Sequence, residues 1–548
     1  MAPFYTVKVR GHCDSDVLTH LSVTITLENP AALKDGSICR LDNFNGNVPS
    51  YKHDSSSIRA WDSHGPLRIT LHTVQAKSVS EWTVDRNTIG NVTFVLQVYP
   101  REVDSMTPLG PRVDLRRDGR GLIGGGSWFL PSPTYSEYFT FCIGWDLDHC
   151  PTGTQGIWSY GDSNGPCVES GPIGLLLNSV FMMGPINTLI PMMPQGTSSL
   201  KCGIYWFGDL PTWIQQPASA HGTLLAFASK IFSDDDLFYK VFIRRAPRGF
   251  GGYNFSSSYI LEYSEPDEPK EDSELICLFA HEMVHNWVYL GHEDDGFENS
   301  WFIEGIAHFY ALFMPLRAGV RGLDYFQQTL DGFLCAYYTN PLINVPYRAA
   351  EENFYKDPNA ESIPYMRGFA YFLMVELLLQ VSSPDHGEGN FLDKIVFSMI
   401  QRQREGLKTN CAVWLEELYH YLGKDKADEI FRTLMDGGRL DLGSQTIATP
   451  QGRRLFLEPT EQETLELGFS NRSLATKVIE GLIPGSRAQL AGLADGDILL
   501  YHSRFAAFRE RYERQFRFIA KRGTQVFEGI YWPRSFQKVY SVRTKIIK

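Results

Sequence analysis

The segment His281-Glu282-Met283-Val284-His285, with Glu304 following after eighteen intervening residues, constrains this 548-residue chain more than any other stretch. Positions four apart on an α-helix share one face a turn apart, so the two imidazoles can reach a common point. The flanks LICLFA and NWVYL are too apolar for a surface helix. Glu304 lies in a second helical pattern, 301–318, joined to the first, 275–290, by the polar loop 291–300. The chain must therefore fold as a buried helix pair that returns a carboxylate to two histidines. Two neutral imidazoles and a carboxylate form the protein's share of a catalytic zinc site, which keeps one position open. Glu282 sits beside that open position and can accept a proton there.

Trp287 follows the second histidine by two residues, and Glu304 stands in a W-x-x-E-G context formed by Trp301 and Gly305. With these, the arrangement resembles the gluzincin metallopeptidases, which include the large aminopeptidases and the glycyl aminopeptidase family. The resemblance implies that His281, His285 and Glu304 bind one Zn2+ per chain. It also implies that Glu282 is the general base for a zinc-activated water. These families carry an oxyanion-binding tyrosine about sixty residues beyond the glutamate ligand, a role that suits a phenol because it stays a donor at neutral pH. Tyr365 stands 61 residues after Glu304, in Pro364-Tyr365-Met366-Arg367-Gly368, and Tyr371 is the second candidate. A packing role is the alternative for either ring. His308, one turn after Glu304, reads as a partner of a ligand or as a packing histidine.

In the same families a Gly-rich strand before the zinc-binding helix holds the substrate backbone, and its glutamate pairs with the free α-amine. The matching stretch here is Gly251-Gly252-Tyr253-Asn254-Phe255, with Asn254 where the glutamate would stand. An amide can hydrogen-bond an ammonium but cannot neutralise it, and charge-assisted pairs are roughly twice as strong. The expected function is an aminopeptidase-like zinc metallopeptidase acting on peptides. The alternatives are an endopeptidase or altered-specificity peptidase, and a non-catalytic peptide-binding scaffold. The acidic run Glu293-Asp294-Asp295 reads as a solvated loop, with a substitute amine anchor as the second reading.

Residues 476–500, TKVIEGLIPGSRAQLAGLADGDILL, resemble PDZ domains of the bacterial protease type, with Arg487 in place of a usual proline. Together with the zinc motif, this favours the glycyl aminopeptidase family. Phe505, Phe508, Tyr512 and Phe516 recur at helical spacing and suggest a second PDZ helix, with Arg504, Arg509, Arg511, Arg514 and Arg517 on its other face. That basic face reads as a solvated surface, with a docking site for an acidic peptide or a C-terminal carboxylate as the second reading.

The first two hundred residues alternate apolar and polar positions over runs such as 21–27, 67–72 and 92–98, and Gly124-Gly125-Gly126 reads as a tight turn. The expected fold is multidomain α+β: an N-terminal β-rich domain (1–200) and a thermolysin-like zinc catalytic domain (201–330). A helical continuation (331–450) and a PDZ-like domain (456–548) follow, with 442–452 as a linker. The net charge of −12 argues against nucleic acid. The start of the chain lacks a signal-peptide pattern, and no run approaches about eighteen apolar residues, so no membrane role is expected. Nine scattered cysteines read as free thiols of a cytoplasmic protein, with a local bridge among Cys142, Cys150 and Cys167 as the alternative.

Overall fold

The computed structural model describes residues 2–165, 167–197, 199–264, 272–291, 299–382, 391–449 and 452–547. The architecture is multidomain α+β, and the chain divides into two compact units: residues 1–226 with 235–266, and residues 227–234 with 267–548.

The first unit is built of β-sheets. Its largest sheet has seven strands, ordered Cys167–Pro172, Tyr138–Asp146, Phe4–Asp14, Val17–Leu27, Val92–Val98, Arg59–Asp62 and Gly65–Leu67. Alternation fixes the register. Tyr5 pairs with Leu27, Val7 with Ile25 and Val9 with Val23, and all six are buried. A one-residue slip would turn that whole row to water. Of the three glycines read as a tight turn, Gly126 opens the 3-10 turn Gly126–Trp128, while Gly124 and Gly125 end the buried strand Gly121–Gly125, where a Cβ on Gly124 would stand 2.5 Å from the Leu115 backbone. Close backbone approach, not chain reversal, requires glycine there.

A second sheet of this unit has five strands, ordered Ile186–Leu189, Lys201–Phe207, Phe238–Arg245, Ser258–Tyr263 and Phe250–Phe255. Gly251, Gly252, Tyr253 and Asn254 therefore lie on an edge strand, antiparallel to Ser258–Tyr263. The fully buried Arg244 meets Glu262 at 2.7 Å and Asp114 at 3.0 Å, and Arg116 shares both carboxylates. Such groups tolerate burial only because each charge is paired and hydrogen-bonded.

Helices dominate the second unit. These are α1 (Asp272–Val284), α2 (Ser300–Arg317), α3 (Leu323–Tyr338), α4 (Pro358–Ser382), α5 (Leu392–Arg404), α6 (Cys411–Leu422) and α7 (Lys424–Asp436). Residues 358–381 of α4 are long and apolar enough to cross a membrane, yet most of this stretch is buried within the protein, as befits a core helix.

The remaining chain folds around a small core that includes Leu467, Phe469, Ile479, Leu499, Phe508, Phe516 and Phe518. Two expectations are corrected here. Residues 442–452 are not simply a linker, because Thr446–Ala448 pairs with Arg454–Leu465. The aromatic run from Phe505 is not one helix either. α8 spans only Phe505–Arg509, and Phe516 begins the strand Phe516–Arg522, which pairs with Gln525–Tyr531. Phe516 is buried because it lies on the inward face of that strand, so its helical spacing from Phe505 is coincidental. Arg487 explains its departure from proline. Its guanidinium stacks over Trp532 and Phe536 and donates to the Arg534 and Ser535 carbonyls. All nine cysteines stand as free thiols.

Candidate metal centre

α1 carries His281 and Glu282 in its last turn. The helix ends at Val284, earlier than the apolar pattern suggests, and His285 begins the tightened turn that follows. There the amides of Trp287 and Val288 return to the Val284 carbonyl at 3.0 and 3.2 Å. Trp287 pins this turn: its Nε1 donates to Asp234 at 2.8 Å, and its ring lies 5.1 Å from that of Phe232.

Glu304 comes from α2. His281 Nε2 lies 3.1 Å from Glu304 Oε2 and 3.1 Å from His285 Nε2, and His285 Nε2 lies 3.5 Å from Glu304 Oε2. The edges of a tetrahedron whose centre-to-corner bonds are about 2.0–2.1 Å measure about 3.3–3.4 Å, so the triangle has the size of a zinc face. Two nitrogens and one carboxylate oxygen are also the donor set zinc prefers, and the residues fit the ion. Among the described residues this is the only such cluster of metal-binding side chains. Burial opposes the charge on Glu304, but hydrogen bonds from His281 and His285 outweigh it and hold the carboxyl well below its usual range. Burial likewise works against the His285 imidazolium, and Glu304 overcomes it, raising the pKa of His285.

Glu282 is 5% exposed, and its charge adds to the upward push on His285. Tyr365 projects from α4, its ring centroid 5.9 Å from that of His281. Tyr371 is excluded from the site: it is fully buried, and its hydroxyl accepts from Trp414 Nε1 at 3.1 Å. The structure thus brings together His281, Glu282, His285, Glu304 and Tyr365. Gly251, Gly252, Tyr253 and Asn254 belong to the first unit. There the buried Nδ2 of Asn254 has no hydrogen-bond partner among the described residues. The acidic run Glu293-Asp294-Asp295 lies outside the described residues.

Two parts of the site have only faint sequence signals. Gly305 and Gly368 touch where α2 crosses α4: a Cβ on Gly305 would stand 2.5 Å from Gly368 Cα, and one on Gly368 2.2 Å from the Trp301 carbonyl oxygen. The signal was a glycine after Glu304 and another three residues after Tyr365. Arg367 is fully buried and donates to the Ile343 and Val345 carbonyls at 2.8 and 2.9 Å, which ties α4 to the loop after α3.

No protein-family model and no curated protein sequence matches the chain. Solved structures do. The crystal structure of an aminopeptidase N family protein from Idiomarina loihiensis superposes with a TM-score of 0.67 at 15% identity, covering 99% of this chain and 98% of that one. A point mutant of the M1 zinc metallopeptidase from Deinococcus radiodurans, bound to a Tyr-Ser-Ala substrate, gives 0.50 at 18% identity, covering 80% of this chain and 95% of that one. At such identities the likeness is one of fold.

Proposed function

We propose that this chain is a zinc-dependent metallopeptidase of the gluzincin type, aminopeptidase-like, with its nearest resemblance among glycyl aminopeptidases. The observation that carries the reading is the mutual spacing of the three donor atoms, 3.1, 3.1 and 3.5 Å. His281, His285 and Glu304 would hold the ion. Once bound, zinc supplies a Lewis acid that polarises the scissile carbonyl and makes water acidic enough to attack at neutral pH. Glu282 accepts the proton of the attacking water and returns it to the leaving amine. The Tyr365 phenol donates a hydrogen bond to the oxyanion as the carbonyl carbon becomes tetrahedral. The strand Phe250–Phe255 ends its sheet and is the element along which an extended peptide would lie.

Asn254 favours a second reading within the same chemistry. Its Nδ2, without a partner among the described residues, is a donor that suits a carbonyl oxygen, whereas to an ammonium the amide offers only an uncharged Oδ1. Substrates with blocked or internal peptide groups fit this position better than a free α-amine does. For the C-terminal module we keep the PDZ-like reading, with a peptide terminus as its ligand.

The test is metal analysis of the purified chain followed by cleavage profiling on peptides with free and blocked N-termini. We expect one zinc per chain and hydrolysis that a chelator abolishes and zinc restores. Faster cleavage of free N-termini supports the aminopeptidase reading, and equal cleavage of blocked peptides supports the second. A chain that holds zinc yet cuts nothing in a broad peptide library overturns both.

A further inference from the structure

His308 follows Glu304 by one turn of α2, and its Nδ1 lies 2.9 Å from Nδ1 of His281. Three rings fix its plane: His281 at 4.6 Å, Phe333 at 4.9 Å and Tyr365 at 5.2 Å between centroids. The other nitrogen of His281, Nε2, faces Glu304 and His285. A neutral imidazole carries one proton, and a nitrogen that offers its lone pair to a metal cannot carry it. With Nε2 of His281 turned to the ion, the proton stands on Nδ1 and is donated to His308. His308 must then present a lone pair at Nδ1 and keep its own proton on Nε2. An imidazolium has no lone pair there, so the contact requires neutral His308. Among the described residues the Nδ1 of His285 has no hydrogen-bond partner, so the support they give is one-sided.

We infer that His308 is a positioning residue: an uncharged acceptor that fixes the tautomer and aim of His281 toward the metal. The inference rests on the zinc-centre reading above. The partners of metal-bound histidines are carboxylates, backbone carbonyls or water, and a carboxylate makes the ligand more basic. A neutral imidazole does the aiming without adding negative charge. The site then keeps the net charge of its two imidazoles and one carboxylate, and any bound cation stays a stronger Lewis acid.

Side-chain geometry provides the test. The Oδ1 of Asn or Asp stands as many bonds from Cα as the Nδ1 of His. His308→Asn therefore preserves a neutral acceptor, His308→Asp substitutes a charged one, and His308→Leu removes it. In the full chain, zinc affinity is measured by competition with a chromogenic chelator, and the visible spectrum is recorded after cobalt substitution. Melting of the metal-free protein controls for folding. We expect His308→Leu to weaken zinc binding by about 10–100-fold. Asn should stay within a few-fold of the native chain, and Asp should bind more tightly with a shifted cobalt spectrum. A Leu variant that binds zinc like the native chain overturns the role of His308. So does an Asn variant as weak as Leu, or equal zinc affinity in Asp and Asn. The Asp–Asn comparison stands even if Leu does not fold. A native chain that takes up no zinc overturns the metal centre itself, a separate outcome.

Discussion

Gly305 and Gly368 meet backbone to backbone where α2 crosses α4, with no room for a methyl group on either side. Glu304 precedes the first by one residue, and Tyr365 precedes the second by three. The crossing therefore sets how far the phenol stands from the carboxylate. Gly305→Ala must either part the helices or strain them. Overpacking of this kind costs about 1–3 kcal/mol. We expect that loss in denaturant unfolding, together with a lower kcat in the fraction that remains folded. Native stability and native kcat in this variant would remove the crossing from the catalytic geometry.

The roles proposed for Glu282 and Tyr365 differ, and their variants should differ in kind. Glu282→Gln removes the proposed proton acceptor without touching a proposed metal ligand, so kcat should fall by about 10²–10⁴-fold with zinc content unchanged. Tyr365→Phe removes one donor aimed at the oxyanion, and about 10²–10³-fold in kcat is expected, with KM nearly constant. Steady-state kinetics with metal analysis separates these from loss of the ion. A Glu282→Gln enzyme that retains native kcat would assign the base elsewhere.

Asn254→Glu tests the edge strand. A carboxylate there can neutralise a free α-amine, as the amide cannot. The ratio of kcat/KM for free over blocked N-termini should rise by about tenfold, or ~1.4 kcal/mol. An unchanged ratio would mean that this strand does not meet the substrate's N-terminus.

His221 gives the first unit a pH dependence unrelated to the metal. It is fully buried, its Nδ1 donates to the Ala218 carbonyl, and its Nε2 accepts from the Tyr259 hydroxyl at 2.6 Å. Burial lowers its pKa to about 4, against an ordinary value of 6.5. Between those values the unfolded chain binds a proton that the folded chain refuses, so stability is full above pH 6.5 and falls as pH drops toward 4. The loss is about 1.4 kcal/mol per pH unit, reaching roughly 3 kcal/mol. Urea unfolding across this range should show the slope, and His221→Gln should flatten it.

Much of the candidate site was legible because a metal-binding pattern restricts both residue type and spacing. His281, His285 and Glu304 converge, and Tyr365 stands over His281 while Tyr371 is packed away in the core. The strand runs of the first unit were legible for a similar reason, since alternation at period two leaves few registers. What escaped depends on contacts far apart in sequence. Nothing local says that Gly305 faces Gly368, that Arg487 stacks on Trp532, or that Phe516 opens a strand instead of extending α8. The early end of α1 was hidden for a different reason: the apolar pattern runs on through Trp287 and Val288, which pack in a turn as well as they would in a helix.

The strand Arg534–Ile547 pairs with Arg454–Leu465, so the residues of the small C-terminal core come, in sequence, almost entirely between two paired strands. Its residues also reach α3: the fully buried Arg534 donates to Thr339, and the Thr544 amide donates to Asp331. α3 in turn supplies Phe333, which flanks His308. During synthesis, then, the ribosome finishes the candidate ligand histidines more than two hundred residues before the strand that braces their surroundings. A nascent chain, or one clipped between the two strands, carries the HExxH motif without its supporting frame. For the proposed peptidase, the order of translation would then set when the site becomes competent.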